Sequence, residues 1–525
     1  MNRQRVPDPA CDTAGWMTLR TVVVIAFTAF VGFIPLAYDL HLGDLSHLIG
    51  YDDGVYMGAA TQLSNGIVPY RDFVFLHPPG IILLLTPFAL IGRFVGSAAA
   101  NEAARVLVVL VAMVGVLLFA RVVRGRTTLA MTAGLAVFAL HPDFLNAAQG
   151  ILLEPFLITA CLLGTALVFN DDVFADEPWR WWVGGIAFGL ALLIKIWAVV
   201  PIVVIVVIAL CMRRRMDAAR LTLACAGTFA LVCAPFVALA PTSFLRYIFR
   251  DQASRSSSGS PTTLSRLGNL LYFPSSVAAR HATVVVVAAV LALSIIIWSL
   301  GRTRGRHLTA LEWYSFASAG LIVGAFVASG SYYSHYGAFA AVFFGLVASN
   351  TVGRLTLRPD GALDARPTRG RAMPVVVAGV VCAVALLVGH QLQVLHKSSA
   401  DTLSLSQIHT VIRPGQCVAT NNVSILLLSG RFSADEPGCP RVVDSFGTEV
   451  NLTGGHVDQA ATSASVQQAW LSWFKRAHYV VLDETRHPRA DWGQPLQGYL
   501  DAHFSLIDHV ETVSIYQRVR GPART

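Results

Sequence analysis

Apolar residues in this chain come in long blocks separated by short polar stretches, with the lengths of membrane helices. Twelve runs lie near 21–40, 80–96, 103–121, 127–142, 153–170, 180–195, 197–212, 219–240, 281–300, 309–329, 335–350 and 374–391. A hydrocarbon core of about 30 Å takes roughly 20 apolar helical residues, so most runs predict spans. Arginines cluster between them: Arg3 and Arg5; Arg121, Arg124 and Arg126; Arg213, Arg214 and Arg215; Arg302, Arg304 and Arg306; Arg354, Arg358, Arg366, Arg369 and Arg371. Such clusters mark the cytoplasmic side. If every run crossed, the second and third clusters would fall outside. Omitting 80–96 removes the conflict: GIILLLTPFALIG offers thirteen residues before Arg93, with Pro87 inside, a length typical of re-entrant or interfacial segments. Eleven spans remain, with the N-terminus (1–18) cytoplasmic, a membrane domain over 19–391 and a large outer loop over 41–102.

The stretch WRWWVGGIAFGLALLIKIWAVVPIVVIVVIALCMRRR is too long for one span and predicts two short ones joined near Lys195. The acidic loop DDVFADEP at 171–178 falls on the cytoplasmic side, which the positive-inside rule tolerates because acidic residues weigh little in it. From 392 to 525 the pattern is that of a soluble domain. RPGQCVATNN reads as a strand leading into a helix over VSILLLSG, HYVVLD as a buried strand and VETVSIYQRVR as an alternating one, which predicts a small extracytoplasmic α/β domain.

Composition agrees. Apolar residues make up 54% and charged ones 13%, and a mean hydropathy of +0.58 excludes an ordinary soluble domain. The net charge of +8 sits in clusters between apolar runs, where it signals topology, so nucleic acid is not an expected partner. The first run, 21–40, is too long for a signal-peptide core and reads as a retained span. Cys161, Cys211, Cys225, Cys233 and Cys382 lie in or beside apolar runs, whereas Cys417 and Cys439 stand in the polar region, where a disulfide is expected if that region is extracytoplasmic.

With this topology the outer face gathers Asp52, Asp53, Arg71, Asp72 and His77; His141, Asp143 and Glu154; Lys195; Arg250, Asp251 and Arg255; and Tyr332, Tyr333, His335 and Tyr336. Ionisable groups beside lipid are costly unless paired or functional. Each also has a plainer reading. Asp52 and Asp53 open GVYMGAATQLSNG, a short amphipathic helix stopped by Asn65-Gly66, and acidic residues there cap a helix start. Glu154 and Lys195 could snorkel to the interface, and His77-Pro78-Pro79 could be a rigid turn.

Taken in order, Asp52-Asp53-Gly54-Val55-Tyr56, His77-Pro78-Pro79, Arg105, Glu154-Pro155, Lys195 and Arg255 resemble the motifs of the GT-C superfamily of membrane glycosyltransferases, especially the lipid A aminoarabinose transferase and protein O-mannosyltransferase group. The likeness covers roughly residues 20 to 340. It departs at His77-Pro78, where the aminoarabinose enzymes have Glu-Lys before Pro, and at Glu154, where some relatives have Asp. It implies an α-helical polytopic membrane protein with juxtamembrane helices in the first outer loop, which also accounts for the non-spanning 80–96 run.

The resemblance further implies an inverting glycosyltransferase of the plasma (inner) membrane, using a polyprenyl-phosphate sugar as donor. The sugar is expected to be mannose- or arabinose-type, and the acceptor an envelope glycan, lipid or protein. Catalytic carboxylates would be Asp52, Asp53 and Glu154, with Asp52 as base; Lys195, Arg255 and Arg105 would hold the donor phosphate; Tyr56, His77, His335 and Tyr336 would position substrate. The resemblance fixes no cofactor, and a divalent cation (Mg, Mn or Ca) is left open. A transporter or flippase would place its charges at mid-membrane on broken helices of repeated halves, a pattern absent here. A non-catalytic assembly factor would tolerate loss of Asp52.

Overall fold

The computed structural model describes residues 9–41, 45, 47–255, 262–271, 307–356, 373–397, 405–433, 436, 438–484, 492–510 and 512–519. Helix α1 (Pro9–His41) leads into α2 (Tyr51–Ser64) and α3 (Gly80–Val95). A bundle follows: α4 (Ser97–Val122), α5 (Thr128–Ala139), α6 (Pro142–Ala147), α7 (Glu154–Val168), α8 (Pro178–Ile194), α9 (Val199–Cys211) and α10 (Arg215–Leu239). The segment after α10 includes a π-helical turn, Arg246–Asp251. Then come α11 (Ala310–Ala328), α12 (Tyr336–Thr356) and α13 (Met373–Lys397).

Six helices among the described residues are long and apolar enough to cross a membrane: the Leu19–His41 part of α1, α4, α10, α11, α12 and most of α13. The chain is a multi-pass membrane protein. Eleven spans were expected, two of them short; α8 and α9 are short as expected, with 17 and 13 residues, and α5 and α7 are short as well, with 12 and 15. The run at 281–300 lies outside the described residues. Helix α13 continues past the expected domain boundary at 391 to Lys397.

One face of the bundle holds Arg124, Arg126, Arg214 and Arg354 from the basic clusters and, with them, the acidic loop 171–178. Arg124 pairs with Asp171 at 2.7 Å and Arg214 with Asp176 at 3.2 Å, while Arg126 pairs with Asp172. The loop that broke the charge pattern therefore neutralises arginines at that same face. Arg354 joins them through Glu312 at 2.6 Å.

Helix α3 does not leave the opposite face. Its apolar side Ile81, Ile82, Leu85 and Ala89 is buried, while Leu83, Leu84, Leu90, Ile91 and Phe94 are exposed, the pattern of an interfacial helix. Near its end Arg93 donates to Asn65 Oδ1 at the C-terminus of α2 at 2.9 Å, and Ser97 just beyond it donates to the Leu427 carbonyl of the C-terminal domain. Both ends of α3 thus stay with the segments that surround them in the 41–102 loop.

The C-terminal domain carries a four-stranded sheet in the order β3 (Val418–Thr420), β4 (Tyr479–Asp483), β6 (Val513–Arg518), β5 (Phe504–Val510); the short hairpin β1 (Phe169–Asn170) and β2 (Val173–Phe174) lies apart from it. Strands β3 and β4 are parallel and the other neighbours antiparallel. Its helices are α14 (Val423–Leu428), α15 (Ser445–Thr453), α16 (Ala464–Arg476) and α17 (Gln494–His503). Cys417 and Cys439 form a disulfide. This domain sits directly on the membrane bundle: Val423, Leu427, Val443, Phe446 and Val450 belong to the same apolar core as α1 to α12. The contact is tight at Gly54, where a Cβ would come within 2.2 Å of the Ser424 backbone nitrogen. In its absence the Gly54 N–H donates to Ser424 Oγ at 2.8 Å.

Candidate active site

The stretch YDDGVY at the start of α2 divides its side chains among different partners. Gly50 is the N-cap and no side chain caps the helix, so the capping role expected of the two aspartates is not what they do. Asp53 turns inward and is 2% exposed. Its Oδ2 accepts from Arg105 Nη2 at 2.8 Å and Nε at 3.1 Å, and its Oδ1 accepts from the Ile151 N–H at 2.8 Å. Gly150 permits this approach, since a Cβ there would stand 2.6 Å from Asp53 Oδ1. Arg105 is 1% exposed and donates also to the carbonyls of Leu45 and His47.

These contacts correct two expectations. Arg105 does not face a donor phosphate and Asp53 is not a free carboxylate. They form a buried, fully engaged pair that ties α2 to α4 and to the loop before α7.

Asp52 points the other way, into a cavity of about 310 Å³. The cavity collects side chains from distant parts of the chain: Asp52 and Tyr56 from α2, His77 from the turn before α3, Lys195 between α8 and α9, Arg255 after the π-helical turn, and His335 and Tyr336 at the start of α12. Each is placed by a local feature. Lys195 sits where α8 breaks into a 3-10 turn, Ile196–Ala198, with extended backbone. At His77 the following prolines impose an extended entry to α3, and the His77 carbonyl accepts from Tyr70 Oη at 2.7 Å. The Tyr56 ring meets the His77 ring edge-on at 5.7 Å.

The two cations are held differently. Lys195 Nζ donates to Glu154 Oε1 at 2.7 Å and lies over the Trp197 ring at 3.6 Å and near Tyr336 at 5.0 Å. Burial lowers its pKa, and Glu154 opposes the shift. Arg255 Nη2 donates to Tyr333 Oη at 2.7 Å, and its guanidinium lies against the rings of Phe446 at 4.6 Å and Tyr333 at 4.9 Å. Among the described residues its buried Nε has no hydrogen-bond partner. A planar guanidinium placed between rings keeps its edge available to an oxyanion.

Glu154 was expected in contact with substrate. It is instead 1% exposed behind Lys195, with His335 Nε2 at 3.9 Å from the same Oε1. Pro155 takes an early position of α7 where its missing N–H is harmless, and this fixes Glu154 at the helix start beneath the lysine. Burial, followed by Lys195 and Arg255, draws the His77 pKa down to about 3. Burial likewise lowers that of His335, with Glu154 opposing. Near neutral pH both rings are therefore uncharged and can each donate one hydrogen bond and accept another.

Two of the carboxylates expected at the site are engaged by cations of the chain itself. Asp53 is committed to Arg105 and Glu154 to Lys195, and among the described residues no three His, Cys, Asp or Glu side chains gather as metal ligands would. No step below is routed through a metal.

Two lining residues come from the C-terminal domain, Asp444 and Phe446. Sequence reasoning missed both. Asp444-Ser445-Phe446-Gly447 reads as a helix start, and Asp444 does accept from the Gly447 N–H at 2.7 Å. Nothing in its spacing points to Asp52, almost 400 positions earlier. Tyr332, Arg250 and Asp251, grouped with the outer-face polar residues, do not line the cavity.

Residues 75–330 match the family model of glycosyltransferase family 87. Solved structures bear out the GT-C fold that the resemblance implies. Crystal structures of ArnT from Cupriavidus metallidurans, bound to undecaprenyl phosphate and in the apo state, align over 97% of this chain with a TM-score of 0.57 and 16% identity, covering 99% and 100% of ArnT. The apo oligosaccharyltransferase of Archaeoglobus fulgidus aligns over 95% of this chain and 75% of its own at a TM-score of 0.53 and 11% identity. No curated protein sequence matches the chain. At these identities the GT-C neighbours share the fold, and the chemistry of the cavity has to be argued from its own residues.

Proposed function

We propose that this glycosyltransferase moves a sugar from a polyprenyl-phosphate donor to a hydroxyl acceptor at the extracytoplasmic face, with inversion at the anomeric carbon. The observation that carries the reading is that Asp52, Lys195 and Arg255 line one cavity at the end of the bundle away from the arginine clusters. Asp52 takes the proton of the acceptor hydroxyl as its oxygen bonds to the anomeric carbon. The bond from that carbon to the donor phosphate breaks, and the phosphate leaves with the electron pair. Lys195 and Arg255 stabilise the charge that grows on it, so no proton need be delivered to the leaving group. Glu154 positions Lys195, and neutral His77 and His335 supply hydrogen bonds to sugar hydroxyls. The undecaprenyl phosphate of the ArnT structure supports a lipid-phosphate donor by fold analogy. The transferred sugar is taken as mannose- or arabinose-type and the acceptor as an envelope glycan, lipid or protein.

Purified protein given polyprenyl-phosphate sugars, nucleotide sugars and a membrane acceptor extract tests this directly. Transfer from a nucleotide sugar, with none from any polyprenyl-phosphate sugar, would overturn it. Arg255→Ala should raise the donor KM by about 10- to 100-fold, the worth of a hydrogen bond to a charged group, with a smaller effect on acceptor KM. Arg255→Lys should restore only part, because an ammonium cannot reproduce a bidentate fork.

Orientation has its own check. In a variant lacking Cys211 and Cys382, cysteines placed at exposed Arg71 and Ala99 should both react with an impermeant thiol reagent added outside intact cells. Reaction at position 99 only from the cytoplasm would make α3 a span.

A further inference from the structure

Helix α15 of the C-terminal domain begins inside the cavity. Asp444 precedes its first turn, is 7% exposed, and accepts on Oδ1 from Tyr51 Oη and from the Gly447 N–H, both at 2.7 Å. Tyr51 immediately precedes Asp52, so this bond ties Asp444 to the neighbour of the proposed base. Two residues on, Phe446 lies against the Arg255 guanidinium. Among the described residues no hydrogen bond is made to Asp444 Oδ2, although a carboxylate has about four acceptor sites and leaving them unused under cover is costly.

The arrangement divides the cavity. A lipid phosphate must stay within reach of the bilayer that holds its tail, on the side of Lys195, whose neighbours are the membrane helices α8 and α9. Asp444 comes instead from the C-terminal domain, whose polar sequence makes it the water-facing part of the chain, from which a hydrophilic acceptor arrives.

We propose that Asp444 is an acceptor-binding residue: its Oδ2 accepts a hydrogen bond from a hydroxyl adjacent to the one that attacks, which makes the acceptor a vicinal polyol such as a sugar unit. The proposal rests on the glycosyl-transfer reading above. The C-terminal domain is then one wall of the active site, and Phe446 is a positioning residue for Arg255.

Asn caps a helix as well as Asp does, which makes Asp444→Asn discriminating. The substitution keeps the Oδ1 bonds to Tyr51 and Gly447 but offers an amide donor where the acceptor hydroxyl needs a lone pair. With an envelope glycan extract titrated by sugar content, the acceptor KM should rise about 10- to 100-fold, while the donor KM and the melting temperature move little. An unchanged acceptor KM would reduce Asp444 to a helix cap and overturn the proposal, as would a parallel rise in donor KM. If Asp444→Asn fails to fold, Asp444→Ser, which also caps, gives the same comparison. A wild-type protein that consumes no polyprenyl-phosphate sugar would instead overturn the underlying reading, a result visible before any variant is made.

Discussion

Asp52→Asn is expected to lower turnover of the purified protein by about 10²- to 10⁴-fold, the usual cost of losing a positioned base, without changing its fold or its donor KM. The expectation rests on the different positions of two adjacent carboxylates. Asp52 lines the cavity, whereas Asp53 is locked to Arg105 and the Ile151 N–H. Asn is isosteric, so a loss of rate with retained stability reports on the proton and not on the shape. Steady-state kinetics with the donor saturating, together with a melting curve, separate the two. Near-normal turnover would exclude Asp52 as base and leave Asp444 as the remaining carboxylate on the cavity wall.

Arg105→Met should produce the opposite profile, a loss of stability by roughly 3–5 kcal/mol, because removing one partner of a buried ion pair strands the other charge. Asp53 is almost wholly enclosed and would have to take up a proton or draw in water. The double variant Asp53→Asn, Arg105→Met should recover a good part of the loss, since replacing both charges removes the stranded one. Thermal unfolding in a fixed detergent measures this, and the recovery in the double variant is the decisive observation. A stable Arg105→Met protein with a raised donor KM would return Arg105 to the phosphate site and contradict the geometry.

Much of the arrangement was readable in one dimension because its causes are local. A 3.6-residue period with no polar break, Pro-Pro before an apolar run and Asn-Gly after a helix act on neighbours in the chain. They predicted α2 with its stop at Asn65, the helix pair joined at Lys195, the strand at Tyr479–Asp483 and an α3 that stays at one face. The acidic loop at 171–178 looked anomalous because its arginine partners stand far off in sequence. Charge clusters did put Arg124, Arg126, Arg214 and Arg354 on one face, since moving arginines through hydrocarbon is costly.

Roles within the YDDGVY stretch were a different matter. Two adjacent aspartates on a helix point about 100° apart, so one must face the bundle when the other faces the cavity. Which one does so depends on where α4 brings Arg105 and where Gly150 lets the backbone come close. Glu154 is a carboxylate beside a proline in the sequence and becomes the support of Lys195 only once α7 and α8 pack together. Asp444 and Phe446 reach the cavity because Gly54 lets the C-terminal domain settle on α2.

The sequence by itself therefore determined that this is a multi-pass membrane protein, where its turns fall, and which polar residues share a face, because hydrophobic burial and charge exclusion operate along the chain. Only the tertiary structure decided which carboxylate meets the cavity, which arginine is structural, and that the C-terminal domain closes the site. Those depend on contacts between residues up to about 390 positions apart, which no local propensity encodes.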